Sequence, residues 1–276
     1  MTTELPPGAD EGALPGLDGE EGGIRFVEWA GSGTPLLLLH GLGGNALWWT
    51  ALAQALPGRR IIALDLPGHG ASAEPSSWDL EPMARRIVEL VTERWPGELV
   101  WGGHSWGGKL AVAAVAAAGP AARGLVLVDS VWPAAAVLSD EAMAGGLFEG
   151  EMEPWGSMAE AVAAVRSLPQ YTPWTPELER AFRRGVRTEP GGVVVPRLTR
   201  GKAGQALRAM FGVDLTDTAR ALEQPVLVLD CAASDKHRSA YRAPTYRVVE
   251  GNHWLHTNNA PGVSAAVTDW LAENAL

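Results

Sequence analysis

Leu99-Val100-Trp101-Gly102-Gly103-His104-Ser105-Trp106-Gly107-Gly108-Lys109-Leu110-Ala111-Val112-Ala113-Ala114-Val115 is the stretch that decides how this chain folds. The apolar run Leu99–Trp101 reads as a strand and Lys109–Val115 as a buried helix. The pattern G-x-S-x-G occupies the sharp turn between them. A serine held there at unfavourable backbone angles has its hydroxyl pushed into the open above the end of a sheet. Small residues two before and two after it let neighbouring backbone come close. A glycine-rich turn with an incidental serine is the plainer alternative, and the flanking strand and helix argue against it.

Working outward, the same rhythm recurs. Pro35-Leu36-Leu37-Leu38-Leu39 is a short continuous apolar run, as suits a strand buried on both faces of a parallel sheet. It ends in His40-Gly41-Leu42-Gly43-Gly44, followed by a helix through about Leu56. Arg60–Leu64 is the next strand and closes at Asp65-Leu66-Pro67-Gly68-His69-Gly70-Ala71-Ser72. A helix over about Leu80–Trp95 carries Met83, Ile87, Leu90, Val91 and Trp95 on one face. Upstream, Ile24–Trp29 alternates like an edge or half-buried strand. Downstream, Gly124–Val128 is a strand closed by Asp129-Ser130; Pro225–Leu229 and Thr245–Val249 are two more, and residues 261–274 form a closing helix. Strands alternating with helices predict an α/β protein with a doubly wound, mostly parallel sheet.

Two stretches depart from that rhythm. Residues 1–23 are rich in Gly, Pro and acid, which predicts a disordered or loosely attached tail. Residues 131–223 show helical patches at Ser157–Leu168 and Pro176–Val186 but no buried strand. An insertion of that length in mid-sheet reads as a helical cap over the active-site end. The expected organisation is therefore tail 1–23, core 24–130 with 224–276, and cap 131–223.

At 276 residues the chain is long enough for one large core, and its 46% apolar and 20% charged content is that of a globular protein. No run approaches the roughly 18 apolar residues of a membrane span. Nothing before Arg25 resembles a secretory signal. The single cysteine, Cys231, excludes an internal disulfide and fits a reducing cytoplasm. Of a net charge of -10, six acidic residues fall in the first 22 positions, so the remainder is only mildly acidic. No basic patch invites nucleic acid. No H-E-x-x-H or comparable spacing suggests a metal, and no cofactor motif is present.

From about residue 24 to its end, the chain resembles the α/β-hydrolase superfamily. The resemblance rests on His40–Gly44, Asp65–Ser72, the serine turn and Gly251-Asn252-His253-Trp254-Leu255-His256, in the expected order between the expected elements. It implies a nucleophile at Ser105 and a base at His253, in the loop before the final helix. Chemistry asks for such a pair, because a serine hydroxyl is a poor nucleophile without a base in hydrogen-bond reach. Of the other histidines, His40, His69 and His104 sit in backbone-shaping loops, His256 reads as a structural or pocket residue, and His237 has no informative context.

The base needs a carboxylate to hold its tautomer, and here the chain departs from the commonest pattern. The usual acid follows the strand Pro225–Leu229 in a Gly-x-x-Asp setting, but this chain reads Asp230-Cys231-Ala232-Ala233-Ser234-Asp235. Asp129, 24 residues after Ser105 and at the end of the sixth strand, is the preferred candidate. It resembles the arrangement in one branch of bacterial serine esterases, which also share the lysine after the serine turn (Lys109). Asp235 and Asp230 remain alternatives.

Acyl transfer builds negative charge on the substrate oxygen, which backbone N–H groups can stabilise. Trp106, just after the nucleophile, and Leu42, in the glycine-rich loop, are the expected oxyanion-hole donors. Of twelve tryptophans, Trp106, Trp132 and Trp254 neighbour the expected triad and Trp48 and Trp49 follow the oxyanion loop. They suggest an aromatic-lined apolar pocket, with Trp132 and Trp254 as substrate contacts; core filling is the plainer role. Arg180, Arg183, Arg184 and Arg187 recur at helical spacing. A solvated helix face explains them more simply than an anionic substrate or carrier.

The expectation is a cofactor-independent serine esterase acting on a small-molecule acyl substrate. Lactonases and carbon–carbon bond hydrolases share fold and triad, and a binding protein that kept the pocket without turnover is the alternative from another class.

Overall fold

A computed structural model describes residues 4–14, 23–130 and 153–276 of the chain. Its centre is an eight-stranded sheet. In chain order the strands are β1 (Ala9–Leu14), β2 (Ile24–Trp29), β3 (Ser32–Leu39), β4 (Arg59–Leu64), β5 (Leu99–His104), β6 (Ala122–Val128), β9 (Val226–Asp230) and β10 (Thr245–Val248). Their spatial order is β1-β2-β4-β3-β5-β6-β9-β10. From β4 to β10 every neighbouring pair is parallel, while β1 and β2 add an antiparallel edge.

The continuous apolar runs are explained by burial on both faces. Leu37 and Leu39 enter one hydrophobic cluster, Leu36 and Leu38 the other; Leu125 and Leu127 oppose Val126 and Val128 in the same way. Helices α2 (Leu80–Arg94) and α3 (Ser105–Ala118) cover the first face. A 3-10 turn at Ala46–Trp49, α1 (Thr50–Ala55) and α10 (Ala260–Glu273) cover the second. Among the described residues no helix is long and apolar enough to cross a membrane.

Part of the expected tail is structured. Residues 9–14 form β1, paired antiparallel with β2 from Ala9↔Trp29 to Leu14↔Ile24. Its acid-and-glycine composition hid it, since charge is tolerated on an edge strand. Gly12 is small for a reason: a Cβ there would lie 2.2 Å from the Phe26 ring.

The described part of the insert, 153–223, holds α4 (Met158–Val165), α5 (Pro176–Arg184), α6 (Arg200–Gly212) and α7 (Thr216–Ala221). It also holds a ribbon, β7 (Val186–Thr188) paired with β8 (Val194–Pro196), too short to leave a periodic signal. Ala161, Val165, Phe182, Val186 and Val194 give it a small core of its own. Two buried polar contacts fasten it to the sheet. Asn45 Nδ2 donates to Ala181 O at 2.7 Å. Arg184, only 4% exposed, bridges the fully buried Asp65 and Glu11 of β1, each at 2.8 Å.

Asp65 also accepts the backbone N–H groups of Ala46 (2.8 Å) and Ala71 (2.7 Å), so one carboxylate joins two loops and the insert. Arg184→Met would leave that carboxylate buried without its cation. The expected cost is about 3–5 kcal/mol, the usual penalty for breaking a buried pair from one side. Denaturant titration measures it; a loss below about 1 kcal/mol would mean that the two backbone donors suffice to hold the carboxylate.

Candidate active site

Ser105 follows β5 directly and opens α3 at φ 52°, in the left-handed region that is strained for a side chain of this kind. The turn closes this tightly because its neighbours lack side chains. A Cβ on Gly107 would lie 2.2 Å from His40 O, and one on Gly103 would lie 2.3 Å from Gly107 O. The spacing of G-x-S-x-G is thus a packing requirement of the turn.

Asp129 follows β6 with a second positive φ, 42°. His253 lies in the loop between β10 and the short helix α9 (Leu255–Asn258). The structure brings these three residues together. Ser105 Oγ lies 3.0 Å from His253 Nε2, and His253 Nδ1 lies 2.5 Å from Asp129 Oδ2. Asp129 Oδ1 accepts the N–H of Cys231 at 2.8 Å, so both carboxylate oxygens are engaged. Burial pushes the Asp129 carboxyl up, but hydrogen bonds from His253 and Cys231 outweigh it and hold the group below the usual range. Burial and the neighbouring carboxylate push the Cys231 thiol up to about 11.

Of the other acid candidates, Asp230 is not on His253. Asp230 faces His237, whose Nδ1 is 3.0 Å from both carboxylate oxygens. Asp235 begins α8 (Asp235–Ala240), and its side chain lies outside what the structure describes.

Trp106 is the second residue of α3, where a backbone N–H has no acceptor within the helix. The loop of Leu42 passes against Ser105: a Cβ on Gly41 would lie 3.2 Å from Ser105 Cβ. His40 holds this loop to the next one, its Nε2 accepting Leu66 N–H at 3.0 Å. His69 Nδ1 lies 2.9 Å from Pro67 O. Both histidines shape backbone, as their positions in sequence predict.

Trp48, Trp49 and Trp106 are buried core residues, Trp106 at 1% exposure packed between His69 and Trp78. Trp254 is half-buried, edge-on to His253 at 5.1 Å between ring centroids. Trp132 lies outside the described residues.

The four arginines read at helical spacing are matched by carboxylates. Arg180 pairs with Glu177, Arg183 with Glu179 and Arg187 with Glu189, leaving Arg184 to its buried bridge. Lys109 is buried in α3, with Nζ donating to Val213 O at 2.8 Å, and burial lowers its ammonium to about 8. The Cys231 N–H on Asp129 leaves no signal in the sequence, since every residue but proline carries that donor.

The chemistry open to this arrangement is proton transfer from Ser105 to His253, with Asp129 beside the charge that forms.

Residues 36–266 match the alpha/beta hydrolase family, and the chain belongs to it. Among curated proteins it is similar to a pimeloyl-[acyl-carrier protein] methyl ester esterase of Methylococcus capsulatus. That relative is 29% identical over 213 residues, covering 74% of this chain and 78% of the relative. Among solved structures it is similar to a thioesterase domain from the curacin biosynthetic pathway, with a TM-score of 0.74 at 20% identity, covering 94% of this chain and 99% of that one. E-2-(acetamidomethylene)succinate hydrolase also gives a TM-score of 0.74, at 22% identity over 90% of this chain and 95% of that one. At these identities the structural likeness is one of fold.

Proposed function

We propose that this protein is a serine esterase that cleaves carboxylic esters or thioesters of small, largely apolar acyl substrates. The observation that carries the reading is the unbroken chain from Ser105 Oγ through His253 to Asp129. His253 Nε2 takes the Ser105 proton as Oγ adds to the substrate carbonyl, and Asp129 stabilises the imidazolium. The N–H groups of Leu42 and Trp106 stabilise the oxyanion. Collapse of the tetrahedral adduct expels the alcohol or thiol, which receives the proton from His253. Water, deprotonated by His253, then hydrolyses the acyl-enzyme and restores Ser105. The insert serves as a cap over this end of the sheet, with Trp254 beside the acyl group. The lone Cys231 supports a cytoplasmic setting.

The test combines a chromogenic ester series of rising acyl length with labelling by a fluorophosphonate. Methyl esters belong in the series, since the Methylococcus relative is named for one. The expected result is turnover with a length optimum and one label per chain on the peptide containing Ser105. A protein silent on every ester and unlabelled at Ser105 would sink the reading and bring the lactone, carbon–carbon and binding alternatives forward.

A further inference from the structure

We propose that His104, the residue before the nucleophile, is a positioning residue that ties the catalytic base to the nucleophile turn; this rests on the acyl-enzyme reading above. His104 Nε2 lies 2.8 Å from the backbone carbonyl of His253, 149 residues away in sequence. A carbonyl only accepts, so Nε2 carries the proton. The ring is 3% exposed and is held neutral, its pKa well below 6.5, chiefly by burial and by the neighbouring His256 and His253. A neutral ring protonated at Nε2 leaves Nδ1 bare. That nitrogen faces the oxyanion loop, where a Cβ on Gly41 would lie 2.7 Å from it.

One ring therefore touches three parts of the site. Its own backbone leads into Ser105, its Nε2–H holds the carbonyl of His253, and its other edge abuts Gly41. Packing fixes its orientation: ring centroids stand 4.6 Å from His253 and 4.4 Å from His256, which in turn packs, tilted, against Trp49 at 4.5 Å. Within the base loop, Asn252 Oδ1 accepts from Trp254 N–H at 2.9 Å, a bond internal to the loop. The His104 bond reaches outward to the turn. Without it the loop can shift against Ser105, and a displacement near 1 Å costs on the order of 10²-fold in rate. Neutrality matters as well, because a charge on His104 would oppose the imidazolium that forms on His253 during turnover.

The experiment compares His104→Leu and His104→Phe, which lack the donor, with His104→Gln, whose side-chain amide can reach the same carbonyl. Steady-state kinetics, fluorophosphonate labelling rate and Tm are read for each beside the wild type. The expected result is kcat and labelling rate lowered about 10- to 100-fold in the Leu and Phe variants, with KM within about twofold. The Gln variant is expected within about threefold of wild type. Phe keeps the ring volume, so it serves if Leu fails to fold. Full kcat in a donor-less variant, or an equal fall in Gln, Leu and Phe, would make His104 a filler and overturn the inference. A wild type that takes no label overturns the acyl-enzyme reading and the inference with it; a labelled wild type with unaffected variants overturns the inference alone.

Discussion

Asp129→Asn is expected to lower kcat by about 10⁴-fold while leaving the fold intact, as loss of a triad aspartate does elsewhere. That factor corresponds to about 5 kcal/mol of transition-state stabilisation. The carboxylate accepts from His253 Nδ1 at 2.5 Å and from Cys231 N–H at 2.8 Å, so it fixes which imidazole nitrogen faces Ser105. An asparagine that keeps the Cys231 bond through its oxygen turns its NH₂ toward Nδ1. A donor at that position favours the tautomer with the proton on Nε2, where it cannot accept from the serine. Asp230→Asn, on the His237 side, is expected to stay within about threefold of wild-type kcat. Near-normal turnover in Asp129→Asn with loss in Asp235→Asn would move the acid to Asp235.

Acid is expected to unfold the protein well before its carboxylates titrate. Burial lowers His40 to about 4 and His69 and His256 to about 3, and holds His104 well below 6.5. The unfolded chain binds these protons near pH 6.5 and the folded chain does not. Their stabilisation is therefore fully present above pH 6.5 and is lost as pH falls, down to about 4 for His40 and about 3 for His69 and His256. Between pH 7 and pH 5 each of His40, His69 and His256 removes about 2 kcal/mol. Three together remove about 6 kcal/mol, comparable to the whole stability of a domain, about 5–15 kcal/mol, and His104 adds in the same direction. Urea midpoints measured across this range should fall steeply, and far-UV circular dichroism should show the loss near pH 5. His256→Phe tests the cause: both His256 ring nitrogens lack partners among the described residues and the ring packs, tilted, against Trp49, so a phenyl ring fits the role. The slope in that variant should ease by about one proton. An unchanged slope would place the acid sensitivity elsewhere.

These two expectations draw on different layers of information. The serine turn was legible in the sequence because its constraints are local: Gly103 is small so that the start of α3 can pack against it, and Gly107 so that the backbone of Leu39 and His40 can. The sheet was legible too. Runs such as Leu36–Leu39 and Leu125–Val128 are apolar at every position, and only a strand covered on both faces has a use for that.

Distant pairing was not legible. Arg184 shares α5 with Arg180 and Arg183, and the expected helical spacing breaks before Arg187, which lies on β7; Arg184 alone turns inward because Asp65 and Glu11 wait there, 119 and 173 residues away. Glu11 itself sat in a stretch whose composition reads as tail; pairing with β2 and the bridge to Arg184 order it. The clustered tryptophans read as a pocket, but most of those beside the site fill the core. An indole's burial depends on what packs against it from elsewhere in the chain.

By itself, then, the sequence determined the class of fold, the serine turn and the loop of His253, since each follows from periodicity or from sterics within a few residues. Only the tertiary structure decided that Asp129 lies on His253, and that His104 reaches the carbonyl of His253. Those contacts close across 124 and 149 residues, and a hydrogen bond over such a separation is set by where two loops end in space.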